Sequence, residues 1–338
     1  MSDKTVAILG ATGVVGQQML QCLEERGFPV GRLVPLASQR SVDAGRTVRF
    51  AGEEVPVALA EPDAFEGVDI VLGAADDATA RALLPEAVRR GAVCVDNSHA
   101  FRMDADVPLV VPEINAADIA GHHGIIANPN CATIIGLVPV WPLHQLAGVT
   151  RLVVSTYQAA SGAGKPGLDE LVREIGCVAA GEPVGETAPF QYQLAENLIP
   201  QIGGFKDEGY TSEELKMLNE GRKIMHLPEL RVSCTCVRVP VVRSHSESIT
   251  AEFERPISVE EARAALEAAP GVRVVDDPAA SRYPMPLETS DQDLIWVGRI
   301  RRDLSAPEGV SALTFWCCGD QIRKGAATNA VQIAEHLL

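Results

Sequence analysis

Thr5-Val6-Ala7-Ile8-Leu9-Gly10-Ala11-Thr12-Gly13-Val14-Val15-Gly16 is the stretch whose reading decides the fold. Residues 5–9 form a short apolar run closed by glycine, and behind Gly16 a helical spacing of apolar residues continues through Leu20 and Leu23 to Arg26. Strand, glycine turn and helix in that order make a dinucleotide-binding unit. The turn lets backbone approach a pyrophosphate, and the helix start offers it unpaired N–H groups. The spacing G-x-x-G-x-x-G is looser than G-x-G-x-x-G, so its weight comes from its surroundings. Gly10, Thr12, Gly13, Val14 and Val15 are the turn residues placed to contact a cofactor. A second strand over residues 32–37 runs into Ser38-Gln39-Arg40-Ser41. At that strand end a carboxylate suits a ribose 2′-hydroxyl, whereas an arginine suits a 2′-phosphate. Arg40 with Ser38 and Ser41 therefore favours NADP, against the competing reading of a solvated surface arginine.

Further along, residues 46–58 read as two short strands around Ala51-Gly52-Glu53. Residues 68–72, 93–96 and 109–111 read as parallel strands, with a helix over 77–90. Strands alternating with helices over the first 130 residues indicate a doubly wound, Rossmann-type parallel sheet. Asn97-Ser98-His99-Ala100-Phe101-Arg102 follows a strand end, the edge at which such sheets bind ligands.

Asn128-Pro129-Asn130-Cys131-Ala132-Thr133 comes directly after the apolar run Gly124-Ile125-Ile126-Ala127. Residues 125–127 read as a buried strand stopped by Pro129, and residues 132–140 read as a helix starting near Cys131. A thiol at a helix N-terminus faces unpaired N–H groups and the positive end of the helix dipole, which favour thiolate. Free cysteines are also common as inert packing residues, and this stretch alone leaves both readings open.

Beyond that corner the pattern changes. Residues 151–158 alternate as a strand ending at Gln158, followed by Ala159-Ala160-Ser161-Gly162-Ala163-Gly164 and a helix over 168–175. Residues 177–205 are rich in Gly and Pro. Thr211-x-x-Glu214 and Ser258-x-x-Glu261 are capping boxes that open two helices. Strands over 231–240 and 248–253 and near Val272, Ile295 and Leu313 complete an antiparallel α+β region. A helix over 325–338 closes the chain, with Ala330, Ile333, Ala334 and Leu337 on one face.

Composition narrows the function class. With 46% apolar and 22% charged residues the 338-residue chain is long enough for two globular domains. It has no run of eighteen uncharged apolar residues and no signal-peptide pattern, so a cytoplasmic protein is expected. A formal charge of −16 argues against nucleic acid and anionic membranes, whose phosphates demand Lys and Arg. It leaves anionic small molecules open, because screening acts over about 8 Å at physiological salt. The eight cysteines form no disulfide framework. Cys234-x-Cys236 and Cys317-Cys318 lack zinc-site spacing, so no metal is expected.

Individually the remaining polar candidates have ordinary explanations. Gln158 ends a strand, Glu220 and Lys223 share one helix face, and His245 lies in the polar run Arg243-Ser244-His245-Ser246-Glu247 beyond Arg238. Together they match a family. Gly10 to Gly16, Asp96-Asn97-Ser98, Val111-Pro112-Glu113, Asn128 to Thr133, Ser155-Thr156-Tyr157-Gln158-Ala159, Ser161 to Gly164, Asn197 to Gln201, Thr235 to Val241, His245-Ser246-Glu247, Val297 to Arg301 and Arg323-Lys324-Gly325-Ala326-Ala327 resemble, in that order, aspartate-semialdehyde dehydrogenases. The resemblance covers the chain from its first strand to its last helix.

It implies a Rossmann-type NADP-binding domain over 1–130 completed by 318–338. Residues 131–317 would form an α+β catalytic and dimerisation domain of the glyceraldehyde-3-phosphate-dehydrogenase-like type. It implies NADPH-dependent reduction of L-aspartyl 4-phosphate to aspartate semialdehyde on the route to lysine, methionine, threonine and isoleucine. Carried over residue by residue, Cys131 is the nucleophile and His245 the acid/base. Arg102, Lys223 and Asn130 hold phosphate, Glu220 and Arg238 hold the amino and carboxylate groups, and Gln158 orients the acyl group. Ser161, Gly162 and Gln321 join the cofactor set, and the assembly is a homodimer or homotetramer. The sequence departs from the family at Gly73-Ala74-Ala75-Asp76-Asp77, where two carboxylates would lie near a cofactor phosphate. It departs again at Asp320-Gln321, where the family carries Asp-Asn, and at Val42-Asp43, which lengthens the loop after Ser41. The competing assignments are an N-acetyl-glutamyl-phosphate reductase and a catalytically silent relative that serves as a binding partner.

Overall fold

The computed structural model describes residues 3–338, and these divide into two compact units. One comprises the chain up to Asn130 together with Gly325–Leu338, and the other is Cys131–Lys324.

The first unit opens with β1 (Lys4–Leu9), α1 (Val14–Glu25), β2 (Val30–Ala37) and α2 (Gln39–Asp43). The hairpin β3 (Thr47–Phe50) and β4 (Glu53–Pro56) and the short β5 (Ala58–Leu59) follow. Then come β6 (Ile70–Gly73), α3 (Asp77–Arg89), β7 (Val93–Asp96), α4 (Pro112–Asn115) and β8 (Ile125–Ala127). The sheet order β5-β2-β1-β6-β7-β8 is wholly parallel, so its strands need helical crossovers and read as continuous apolar runs. Residues 109–111, expected as a strand, make only a single bridge, Leu109 to Ala127. Pro108 and Pro112 flank them and leave too little chain with free N–H groups to extend a ladder.

The second unit begins with α5 (Cys131–Ala147), β9 (Val149–Gln158) and α6 (Gly164–Ala180). After α7 (Ser212–Ile224) come β10 (Arg231–Arg238), β11 (His245–Phe253), α8 (Val259–Ala268) and β12 (Val272–Val274). The unit ends with α9 (Pro286–Thr289), β13 (Ile295–Arg302) and β14 (Ser311–Gly319). Both capping boxes form. The sheet β10-β9-β11-β14-β13-β12 is mixed rather than antiparallel. β10 lies parallel to β9 and β12 parallel to β13, because long connections carrying α6 with α7, and α9, return the chain in the same direction. α5 is almost wholly apolar and continuously buried from Ala132 to Val140, as a helix segment inside a unit must be, and its last turns reach solvent at Gln145 and Leu146.

The last helix, α10 (Thr328–Glu335), belongs to the first unit. Its Ala330, Val331, Ile333 and Ala334 join the core formed by Val6, Ile8, Leu20 and Leu72. The return to that unit comes at residue 325 rather than 318, because β14 and the turn after it stay with the second sheet.

Candidate active site

Sheet register explains which residues of the second unit meet. β10 pairs Arg238 with Gln158 on β9, and β11 brings His245 alongside as the next strand, opposite Gly319 of β14. Side chains alternate between faces with period two, so Arg238, Gln158 and His245 form one row on one face. The row below it on the same face is Cys236, Thr156, Glu247 and Cys317.

Cys131 is the first residue of α5, and its Sγ lies 3.5 Å from His245 Nε2. Its position at the N-terminus of a 17-residue helix favours thiolate. The thiols of Cys94, Cys234, Cys317 and Cys318 are instead pushed up by burial and neighbouring polar groups. In the Cys234 case the largest cause is the hydrogen-bonding contact with Cys236. Cys131 and Cys177 are the cysteines that retain partial exposure.

His245 is fully buried at the start of β11, which begins three residues earlier than its apolar pattern suggests. Its Nδ1 accepts the Ala159 N–H at 3.0 Å. Burial, followed by the Arg238 guanidinium, pushes its pKa down to about 3. Arg238 donates from Nη1 to the Ala159 carbonyl at 2.6 Å. Gln158 is held at both ends of its amide: Thr156 Oγ1 donates to its Oε1 at 3.0 Å, and its Nε2 donates to Glu213 at 3.2 Å. A Cβ on Gly162 would stand 2.9 Å from Arg238 Nη1 and 3.0 Å from His245 Cε1, so only glycine lets that loop close over the row. Glu220 is buried on α7 and Lys223 is half-buried one turn on. Glu213, at the start of the same helix, was missed by the sequence reading. It also binds Lys216 at 2.8 Å, and its i,i+3 spacing to that lysine looks like an ordinary surface pair.

In the first unit, Asn128 anchors the turn that precedes Cys131. Its N–H donates to Asp96 O at 2.7 Å, its Nδ2 to Asn97 Oδ1 at 2.8 Å, and its Oδ1 accepts from Asn329 Nδ2 at 2.6 Å. Asn130 is buried, as is Arg102, whose Nη2 donates to Asn97 O at 2.8 Å.

The residues proposed for a nicotinamide dinucleotide fit such a group. Gly10 has φ +87°, and a Cβ there would stand 2.5 Å from Ala74 O. Gly13 is the N-cap of α1, with no side-chain cap bond and no acid in the first turn, which leaves N–H groups and positive potential for an anion. Thr12, Val14 and Val15 are partly exposed around that turn. Ser38 occupies the N-cap position of α2 without a side-chain cap bond, Ser41 Oγ lies 3.5 Å from Ser38 Oγ, and Arg40 is exposed. The carboxylates after β6 are committed elsewhere. Asp76 caps α3 through Thr79 N and Oγ1 at 3.0 and 2.9 Å, and Asp77 accepts from His99 N at 2.8 Å. In the second unit, Gln321 Oε1 accepts from Ser244 N at 2.8 Å while its Nε2 donates to Ser161 Oγ. The family's amide position is thus used to tie together two loops.

Among the described residues no group of three or more His, Cys, Asp or Glu could hold a metal, and no helix is long and apolar enough to cross a membrane.

Known proteins resemble both units of the chain. Residues 5–122 match the family "Semialdehyde dehydrogenase, NAD binding domain", and residues 140–324 match "Semialdehyde dehydrogenase, dimerisation domain". The aspartate-semialdehyde dehydrogenase of Synechocystis sp. is 49% identical over 98% of this chain and 97% of its own. That of Bacillus subtilis is 48% identical over 98% and 96%. The crystal structure of aspartate semialdehyde dehydrogenase II complexed with ASA from Vibrio cholerae superposes with a TM-score of 0.95 at 43% identity, covering 100% of this chain and 98% of that one. The Candida albicans aspartate semialdehyde dehydrogenase solved with NADP gives 0.77 at 26% identity, covering 99% and 98%. With both units matched and relatives near half identical over almost its whole length, the chain belongs to the aspartate-semialdehyde dehydrogenase family.

Proposed function

We propose that this protein catalyses the NADPH-dependent reductive dephosphorylation of L-aspartyl 4-phosphate to L-aspartate 4-semialdehyde and phosphate through a Cys131 thioester. The reaction lies on the route to lysine, methionine, threonine and isoleucine. The observation that carries the reading is Cys131 Sγ 3.5 Å from His245 Nε2, beside a row that presents Gln158 and Arg238. An acyl phosphate is activated toward a thiolate, and the resulting thioester accepts hydride more readily than a carboxylate does. NADPH supplies that hydride when bound. In this reading Arg40, Ser38 and Ser41 select NADP over NAD, and Gly10, Thr12, Gly13, Val14 and Val15 cradle its pyrophosphate. Ser161 and Gly162 contribute from the loop beside the catalytic row.

Arg102, Lys223 and Asn130 hold the phosphate. Arg238 takes the substrate's carboxylate with the part of its fork that Ala159 O leaves, Glu220 takes the ammonium, and Gln158 orients the acyl group. His245 serves the sulfur and the acyl oxygen. The protein works in the cytoplasm as a homodimer or homotetramer assembled through its second unit, which matches a dimerisation domain.

A charge-assisted hydrogen bond from the ammonium to Glu220 is worth about 1.5–3 kcal/mol, and an acetylated amine leaves that buried carboxylate with no ammonium to bind. The test is NADP reduction with aspartate semialdehyde and phosphate, compared with N-acetyl-glutamate semialdehyde. A kcat/KM higher by about two orders of magnitude for the free amine is expected. Equal or reversed values, or no turnover, overturn the reading.

A further inference from the structure

Gln158 is buried at the end of β9, and its side-chain amide has two chemically different ends, one donating and one accepting. A carboxylate only accepts, so Glu213 Oε1 at 3.2 Å fixes the end that faces it as the NH2 group. The other end is the carbonyl, and Thr156 Oγ1 donates to it at 3.0 Å. Lys216 Nζ, which only donates, holds the second oxygen of Glu213 at 2.8 Å. Glu213 thus stands between two donors, a place that a carboxylate fills with both oxygens and an amide fills with one end wrong.

Glu213 is itself held by its helix. It is the second residue of α7, and its neighbour Glu214 accepts from Thr211 N at 2.7 Å and from Cys236 N on β10 at 3.1 Å. Those bonds pin the first turn of α7 to the edge of the sheet, and negative charge in that turn meets the positive end of the helix. With both ends of the Gln158 amide fixed, the second hydrogen on its Nε2 bonds to nothing among the described residues. That hydrogen belongs to the row of Arg238 and His245. An acyl phosphate, a thioester and an aldehyde each carry a carbonyl oxygen that accepts from an N–H, whereas a flipped amide would offer them an oxygen instead.

We propose that Glu213, with Lys216 behind it, is a positioning residue that fixes the flip of the Gln158 amide, so that a donor rather than an acceptor is offered to the substrate. This rests on the reading of Gln158 as the group that orients the acyl chain. Aiming a donor before substrate arrives is how a site stabilises developing negative charge on oxygen.

The test is Glu213→Gln, which is isosteric. Between Lys216 and Gln158 the new amide gives its carbonyl to the lysine and its NH2 to Gln158, which inverts the Gln158 amide. With aspartate semialdehyde and phosphate, kcat should fall about 10- to 100-fold, with KM for NADP within about threefold. In a Gln158→Ala background the same change should cost less than about twofold, because Glu213 acts through Gln158. Burial lowers the pKa of Arg238, and Glu213 is the first of the charges that oppose this. Action through Arg238 would give equal losses in both backgrounds, and that result overturns the proposal, as does full activity in Glu213→Gln. Adding Lys216→Met to Glu213→Gln removes the donor that turns the new amide and should recover about fivefold in kcat. A further loss overturns the proposal.

The amide is also read without substrate, by proton–nitrogen correlation NMR on the full-length protein labelled with 15N-glutamine. Gln158, assigned by the signal lost in Gln158→Ala, should show one Nε2 proton well downfield of the other, as bonding to a carboxylate requires, and the separation should collapse in Glu213→Gln. Two equivalent protons in the parent overturn the proposal. Absence of turnover by the parent with aspartate semialdehyde sinks the functional reading instead, and the spectrum still decides which way the amide is held.

Discussion

Two neighbouring rows of the second sheet are equally buried and differ in what their polar atoms find. In the upper row, His245 Nδ1 meets the Ala159 N–H, both ends of the Gln158 amide are bonded, and Arg238 holds the Ala159 carbonyl. In the lower row neither carboxyl oxygen of Glu247 has a hydrogen-bond partner. Burial drives both titratable groups toward neutrality, His245 downward and Glu247 well upward, the latter with added repulsion from Cys236 and Glu213. Charge suppression is therefore common to the two rows. Orientation is not, and a site needs donors and acceptors aimed at fixed points. Glu247 instead packs against α5, where a Cβ at Gly136 would stand 2.6 Å from its Oε2.

The comparison breaks most visibly at the sulfur facing the upper row. Cys131→Ser should lower kcat by at least about 10⁴-fold with folding intact, while Cys234→Ser, on the same face but deeper, should keep most of the activity. Full turnover in Cys131→Ser would remove the upper row's catalytic role.

His245→Gln should reduce kcat by about 10²–10⁴-fold. It should also change acid stability. The folded-state pKa of His245 lies below its unfolded value near 6.5, so the unfolded chain binds the extra proton. Stability from neutral His245 is present above pH 6.5 and is lost as pH falls toward about 3. Urea unfolding across that window should show a shallower decline for the variant than for the parent. Parallel curves would mean that His245 ionises when folded.

The lower row predicts the opposite sign. Glu247 has a folded-state pKa above its unfolded value, so its contribution is most favourable below about pH 4.3 and is lost as pH rises toward the folded pKa. Glu247→Met should stabilise the protein by about 1–3 kcal/mol at pH 8 and less at pH 4, with kcat within about threefold. A tenfold loss of kcat would show that the lower row also orients the upper one.

Arg40, exposed in the first unit, provides the contrast with buried Arg238. Arg40→Ala should raise KM for NADP about tenfold, leave NAD nearly unchanged, and alter stability by no more than about 0.5 kcal/mol. Equal losses with both cofactors would make Arg40 structural.

Local chemistry alone determined much of this protein. Residues 5–16 specify strand, turn and helix because an apolar run, a φ > 0 glycine and an uncapped helix start are each written in contiguous residues. The corner at Cys131 and both capping boxes are legible for the same reason. The tertiary structure decided what depends on register between distant strands. His245 sits in a polar run that reads as exposed, yet pairing of β11 with β9 and β14 buries it completely. Glu213 looks like half of a surface ion pair until β9 brings Gln158 to it. Asp76 and Asp77 look unfavourable for a cofactor until capping by one and the His99 contact of the other are seen. A sheet row is assembled from residues about 80 positions apart, and no periodicity within one segment records which segment lies beside it.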